Sequence, residues 1–195
     1  MPLIRDALSA IGAPGRFALL GALSGSVATT LIQVLPETIL GLFDWKPVEW
    51  LALSPGIAFP GLVFGLIIGW ALYRGGHAGP RTFAAYVAAS SVSFLAAFNL
   101  AVGILFYGGS IWLIGMIAGL FWSACLTGLS AWMFPFVRKF WPIALMLVAG
   151  CTLGALLGII EMFNFGGLEV FFVLFFALWQ GGYAAAFATA LPEDA

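Results

Sequence analysis

The residues able to do chemistry are few and stand far apart. The single histidine, His77, falls in the run Gly75-Gly76-His77-Ala78-Gly79-Pro80, flanked by Arg74 and Arg81. An imidazole there is either a solvated turn residue or a group placed to touch lipid phosphate beside two arginines. The two cysteines, Cys125 and Cys151, both sit inside apolar runs and read as small buried thiols that are not bonded to each other. No CxxC or Cys/His spacing is present to hold zinc or an iron–sulfur cluster, so no metal and no cofactor is expected. Hydrolytic or group-transfer chemistry needs a nucleophile, a general base or a metal, and the apolar stretches hold no such set. An enzyme acting on lipids is therefore the poorest of the functional readings.

Neutral polar and aromatic groups at membrane depth carry more information. Gln33, Asn99 and Glu161 fall in the outer parts of three different apolar stretches, with Glu37 at the edge of the first. Trp122, Trp179 and Gln180 fall deeper, where an indole N–H or an amide needs a partner that lipid cannot supply. Two readings fit these residues. Either they bond between helices, or Gln33, Asn99 and Glu161 share an outward-facing vestibule with Trp122, Trp179 and Gln180 below it. In the second reading, Glu161 is the acidic group that meets a cationic or hydrogen-bonding solute. Ser24, Ser26, Thr29 and Thr30 in the first stretch, and Ser90, Ser91 and Ser93 in the third, suggest that those two helices touch or line something hydrated.

Composition says what must position these groups. Hydrophobic residues make up 63% of the 195 residues even without glycine, and charged residues 8%, against about a quarter in a soluble domain. The mean hydropathy is +1.12. A globule of this size cannot bury so much apolar side chain, so the surplus faces lipid. A soluble enzyme and a disordered chain are excluded. A net charge of -1 leaves no basic field for nucleic acid. Segment 1–15, with Arg5, Asp6 and Pro14, lacks the pattern of a cleavable signal peptide.

About 20 apolar residues cross a bilayer as a helix, and six stretches qualify: 17–36, 57–73, 82–107, 110–134, 141–162 and 170–191. The chain thus reads as one all-α transmembrane domain over 1–195, with a cytoplasmic N-terminal segment (1–16) and an extracytoplasmic loop (37–56). Six spans put Arg5, Arg16, Arg74, Arg81, Arg138 and Lys139 on one side and only Lys46 on the other. The positive-inside rule then places both termini in the cytoplasm of a multi-pass inner-membrane protein. Loop 37–56 is too long for a simple turn. Its Trp45, Trp50, Phe43 and leucines suit a segment lying in the interface or folding back as a lid.

Glycine sets the expected packing. Gly61, Gly65 and Gly69 form one ridge and Gly150, Gly154 and Gly158 another, with pairs at Gly21/Gly25 and Gly115/Gly119. Such ridges let backbones approach closely, within the chain or against another membrane subunit or a second copy. Spans one and four carry pairs and spans two and five carry triplets, which hints at a 3+3 inverted repeat.

Ala18 and Ala22, followed by Ser26, make a small-residue AxxxA stripe on the first span. With the size, the six spans, the cytoplasmic termini and the long first outer loop, the chain resembles the substrate-binding components of energy-coupling-factor vitamin transporters. The resemblance implies a small-solute-binding or transport role, and docking on a transmembrane partner through Ala18 and Ala22. The chain carries no vitamin-specific signature. The alternative is a non-catalytic accessory or assembly subunit of a larger membrane complex, which abundant GxxxG and short loops also suit. Reporter fusions at Ala195 and within residues 75–80 should both read cytoplasmic, and a periplasmic signal at either would overturn the topology.

Overall fold

The computed structural model describes residues 11–34, 45–48, 51–53, 55–108, 110–156 and 168–192. Among them are six α-helices: α1 (Ala13–Val34), α2 (Pro55–Arg74), α3 (Pro80–Phe106), α4 (Ile111–Met133), α5 (Phe140–Gly154) and α6 (Leu168–Ala188). By length and composition α1, α3 and α4 are apolar enough to cross a membrane, while Ala58–Arg74, Phe140–Gly154 and Phe172–Ala188 form shorter apolar helical segments. The chain is therefore an all-α protein compatible with a membrane location. The only strands described form one small hairpin.

Local chemistry explains where the helices begin and end. Helix α1 starts at Ala13, inside the stretch expected to be a surface segment. Pro14 suits the first turn, where a missing N–H costs nothing, and the Arg16 N–H already donates to Gly12 O at 3.1 Å. Between α2 and α3 the chain turns at Gly76, whose φ of 76° only glycine adopts readily, and the His77 N–H donates to Leu72 O at 2.9 Å. Pro80 then occupies the first position of α3. Gly108, at φ 81°, makes the corresponding turn between α3 and α4. Helix α6 tightens past Ala188, where the N–H groups of Thr189, Ala190 and Leu191 reach back three residues, and Pro192 follows. The expected end of the fifth span, residues 157–162, lies outside the described residues.

Loop 37–56 carries two short strands, β1 (Trp45–Val48) and β2 (Leu51–Leu53), paired antiparallel with Trp45 opposite Leu53 and Val48 opposite Leu51. Strand β2 lies against α3.

The helices form a ring. Each packs on its neighbours in sequence, and α6 closes back on α1 in the most extensive contact of the fold. The principal neighbours of α1 are thus α6 and α2. The serine- and threonine-bearing spans one and three are not among each other's principal neighbours in this ring.

Glycines set the close approaches. A Cβ on Gly21 or Gly25 would strike the backbone of α6 at Gln180 or Phe176. Gly61 and Gly65 lie against the α3 backbone at Ser90 and Val87, and Gly69 lies against Phe83. Gly119 meets Gly150 and Gly154 across the α4–α5 contact, where Gly154 also meets the Gly115 carbonyl. The ridges on α2 and α5 are therefore occupied within the chain as far as it is described; Gly158 lies outside the described residues. The two halves use their shared pattern differently. The pair on α1 faces α6 while the pair on α4 faces α5, and the glycines of α2 face α3 while those of α5 face α4.

Gly65→Leu and Gly154→Leu should each lower stability by about 1–3 kcal/mol, because backbone has to give way on the facing helix. Gly128, which has nothing within 4 Å of its Cβ position, is the matched control. Thermal unfolding in detergent checks this, and equal melting of all three leucine variants would refute it.

Candidate functional site

The centre of the ring is filled by aromatic side chains. Trp122 of α4 sits 4.9 Å from Trp179 and 4.8 Å from Tyr183 of α6, centroid to centroid. Phe64 of α2 meets Trp122 edge-on at 5.5 Å and Tyr183 at 5.9 Å. Phe94 of α3 adds a contact to Trp179 at 6.1 Å. Toward the end of the bundle that carries His77, Tyr86, Phe134, Phe136 and Phe187 continue the stack. Trp122, Phe64 and Tyr183 are fully buried. Tilted and edge-on pairs of this kind add about 0.5–1.5 kcal/mol each beyond area burial.

Polar groups are threaded through this plug. Gln180, fully buried, ties three helices together. It accepts at Oε1 from the Ser24 hydroxyl of α1 (2.6 Å), and its Nε2 donates to the Pro60 carbonyl of α2 (3.2 Å). The Ser24 proton is also within reach of Gly21 O at 2.7 Å, so one hydroxyl is shared between helix and neighbour. A carbonyl has two lone pairs, so Pro60 O can accept from Gln180 in addition to its own helical donor. Lower in the bundle, Thr127 and Tyr183 share a hydrogen bond of 3.1 Å, and Thr127 Oγ1 lies 3.7 Å from Met146 Sδ. The indole N–H groups of Trp122 and Trp179 and the hydroxyls of Ser90, Ser93 and Ser123 are buried and have no hydrogen-bond partner.

The residues singled out from sequence distribute unevenly. Trp122 and Trp179 come together. Gln180 is adjacent on α6 but turns toward α1 and α2. Asn99 is buried on α3, where its Nδ2 donates to Leu95 O of its own helix at 2.9 Å. Gln33 is exposed in the last turn of α1. Glu161 and Glu37 lie outside the described residues. Tyr183 and Phe64 belong to the centre and were not anticipated. The available signal was weak: a tyrosine four residues after Trp179 on one helix face, and a phenylalanine four residues after the intrahelical Pro60. Cys125 and Cys151 are free thiols.

A second feature lies on the outside of the ring, where α1, α6 and α5 meet. Gly15, Ala18, Leu19 and Ala22 of α1, Ala177, Leu178, Gly181, Gly182 and Ala185 of α6, Leu153 of α5 and Ile11 line an open groove of about 560 Å³. Its walls are almost wholly apolar, and along α6 it runs roughly 12 Å, about two helical turns. The Ala18/Ala22 stripe noted in the sequence is one wall of it.

No family model, curated protein or solved structure matches this chain.

Replacing Gln180 with leucine should destabilise the bundle by about 0.5–2 kcal/mol, since Pro60 O and Ser24 Oγ each lose a partner in an apolar setting. Ser24→Ala should cost less on its own. The double variant should cost less than the sum, which a double-mutant cycle of unfolding free energies in detergent reads directly. Strict additivity would mean that the two side chains do not interact.

Proposed function

We propose that this chain is a six-span inner-membrane protein, with both termini cytoplasmic, that acts by seating another membrane protein's helix in the groove between α1 and α6. The groove itself carries the reading. It is an open apolar slot in which Ala18, Ala22, Ala177 and Ala185 stand among Leu19, Leu153 and Leu178, on the outside of a ring whose described glycine ridges are occupied by its own helices. In lipid there is little hydrophobic gain from pairing helices, so association relies on close backbone approach, which small residues permit. The occupant that fits is a single apolar transmembrane helix with small residues on the facing side. The orientation rests on the segregation of Lys and Arg, with Arg16, Arg74, Arg81, Arg138 and Lys139 at one end of the bundle.

Such a subunit serves either of two roles. A non-catalytic accessory or assembly subunit needs nothing beyond the groove. A solute-binding subunit, like the transporter components the chain resembles, also needs a polar interior site. The buried N–H groups of Trp122 and Trp179, which have no acceptor among the described residues, support that second role, since each is a donor that a hydrogen-bond-accepting solute could satisfy.

A photo-crosslinker at Ala18 or Ala185 should capture a membrane protein from intact membranes. Ala185→Leu, which fills the groove, should weaken co-purification in mild detergent by about tenfold, or about 1.4 kcal/mol, without lowering the melting temperature. Crosslinks to lipid alone would overturn the docking reading. A cytoplasmic ATPase in the captured complex marks the solute-transport role, and further stoichiometric membrane subunits mark the accessory role.

A further inference from the structure

Four hydroxyl groups meet inside the ring, between the rings of Trp122 and Phe64 on one side and those of Phe134 and Phe187 on the other. Tyr86 comes from α3, Thr127 and Ser130 from one face of α4, and Tyr183 from α6. Tyr86, Ser130 and Tyr183 are fully buried, and Thr127 is 3% exposed. Trp122 and Phe64 lie against the Tyr183 ring at 4.8 and 5.9 Å. Phe134 and Phe187 lie against the Tyr86 ring at 5.8 and 6.2 Å. Hydroxyl oxygens are thus gathered in an enclosure that is otherwise aromatic.

Their hydrogen bonds do not close among themselves. Each hydroxyl has one proton to donate and two lone pairs to accept with. Thr127 and Tyr183 share one bond of 3.1 Å, and Thr127 Oγ1 lies 3.7 Å from the Met146 sulfur of α5. Ser130 Oγ is set beside both phenols. Yet neither it nor Tyr86 Oη reaches hydrogen-bond geometry with any described group. A buried hydroxyl left in that condition costs about 1–3 kcal/mol. The one amide of α6, Gln180, is committed to Ser24 and the Pro60 carbonyl and does not relieve them.

We propose that the cluster is a binding site for one buried water molecule, held by Tyr86, Ser130 and Tyr183 and so linking α3, α4 and α6. The water accepts from the Tyr86 and Ser130 hydroxyls and donates to Tyr183 Oη. Tyr183 then donates to Thr127 Oγ1, and the Thr127 proton points at the Met146 sulfur. Every hydroxyl proton in the cluster is used, and the water makes three bonds, the usual number for a buried one. Water is the ligand selected because it both donates and accepts and carries no charge. No lysine, arginine, aspartate or glutamate is buried among the described residues, so an ion would find no counter-charge here. A larger solute would have to part the surrounding rings. The site is distinct from the solute role weighed for the Trp122 and Trp179 N–H groups.

Radiolytic labelling in water carrying heavy oxygen tests the assignment on the full chain in detergent. Ionised at its site, a bound water yields a hydroxyl radical that marks the residues beside it. Met146 and Tyr183 are fully buried and should nevertheless take up the heavy oxygen. Tyr86→Phe and Ser130→Ala should each lower the label on Met146 by about threefold or more, because the water keeps two of its three partners at most. Ser130→Thr, which retains the hydroxyl, should keep most of it. Ser90→Ala is the control, since it removes a hydroxyl from α3 where that helix meets Gly61 of α2. Wild-type protein with no label on Met146 or Tyr183 would overturn the site. So would a label unchanged in Tyr86→Phe and Ser130→Ala, or one lost equally in Ser90→Ala. Melting temperatures read on the same samples separate a lost water from a loosened fold, and the wild-type result stands without any variant.

Discussion

The closure of α6 on α1 is the contact on which the rest of the structure depends. Gly21 and Gly25 bring the first helix against the backbone of the last, and no side chain larger than hydrogen fits at either position. The same approach puts Ser24 within 2.6 Å of Gln180. Without it the amide of Gln180 would stand buried beside an apolar wall, and in hydrocarbon an unsatisfied amide costs several kcal/mol. The ring of six helices, the three-helix link through Gln180 and the outer groove all follow from how closely these two helices approach.

The interior of the ring combines large aromatic rings with small hydroxyl residues. The rings fill the space, and tilted and edge-on contacts keep Trp122, Trp179, Tyr183 and Phe64 in one arrangement. The hydroxyls that bond do so mainly to their own helices, as with Thr29 to Gly25 O and Ser91 to Val87 O. Gln180 and the Thr127–Tyr183 pair are the clear exceptions that reach across the bundle.

The outer surface divides by chemistry. The groove between α1 and α6 is open and apolar, whereas the pocket at the basic end combines an apolar floor with Arg16 and His77. The first offers shape and almost no charge.

Six helices, their approximate limits over the described residues and a composition compatible with a membrane were legible in the sequence. Apolar run length and the Gly/Pro breaks act locally and need no tertiary information. The close-packing role of Gly65 and Gly154 was legible too, since a stripe without side chains has value only against another backbone. The partner of each ridge was not legible, because glycine spacing carries no identity: only the folded ring sends Gly21 and Gly25 to α6 while Gly115 and Gly119 meet α5. The same holds for the polar residues. Sequence could say that Gln180 needed a partner. Only the three-dimensional path of the chain decided that Ser24, 156 positions away, and the Pro60 carbonyl, 120 away, would supply it, because a hydrogen bond depends on proximity in space rather than along the chain.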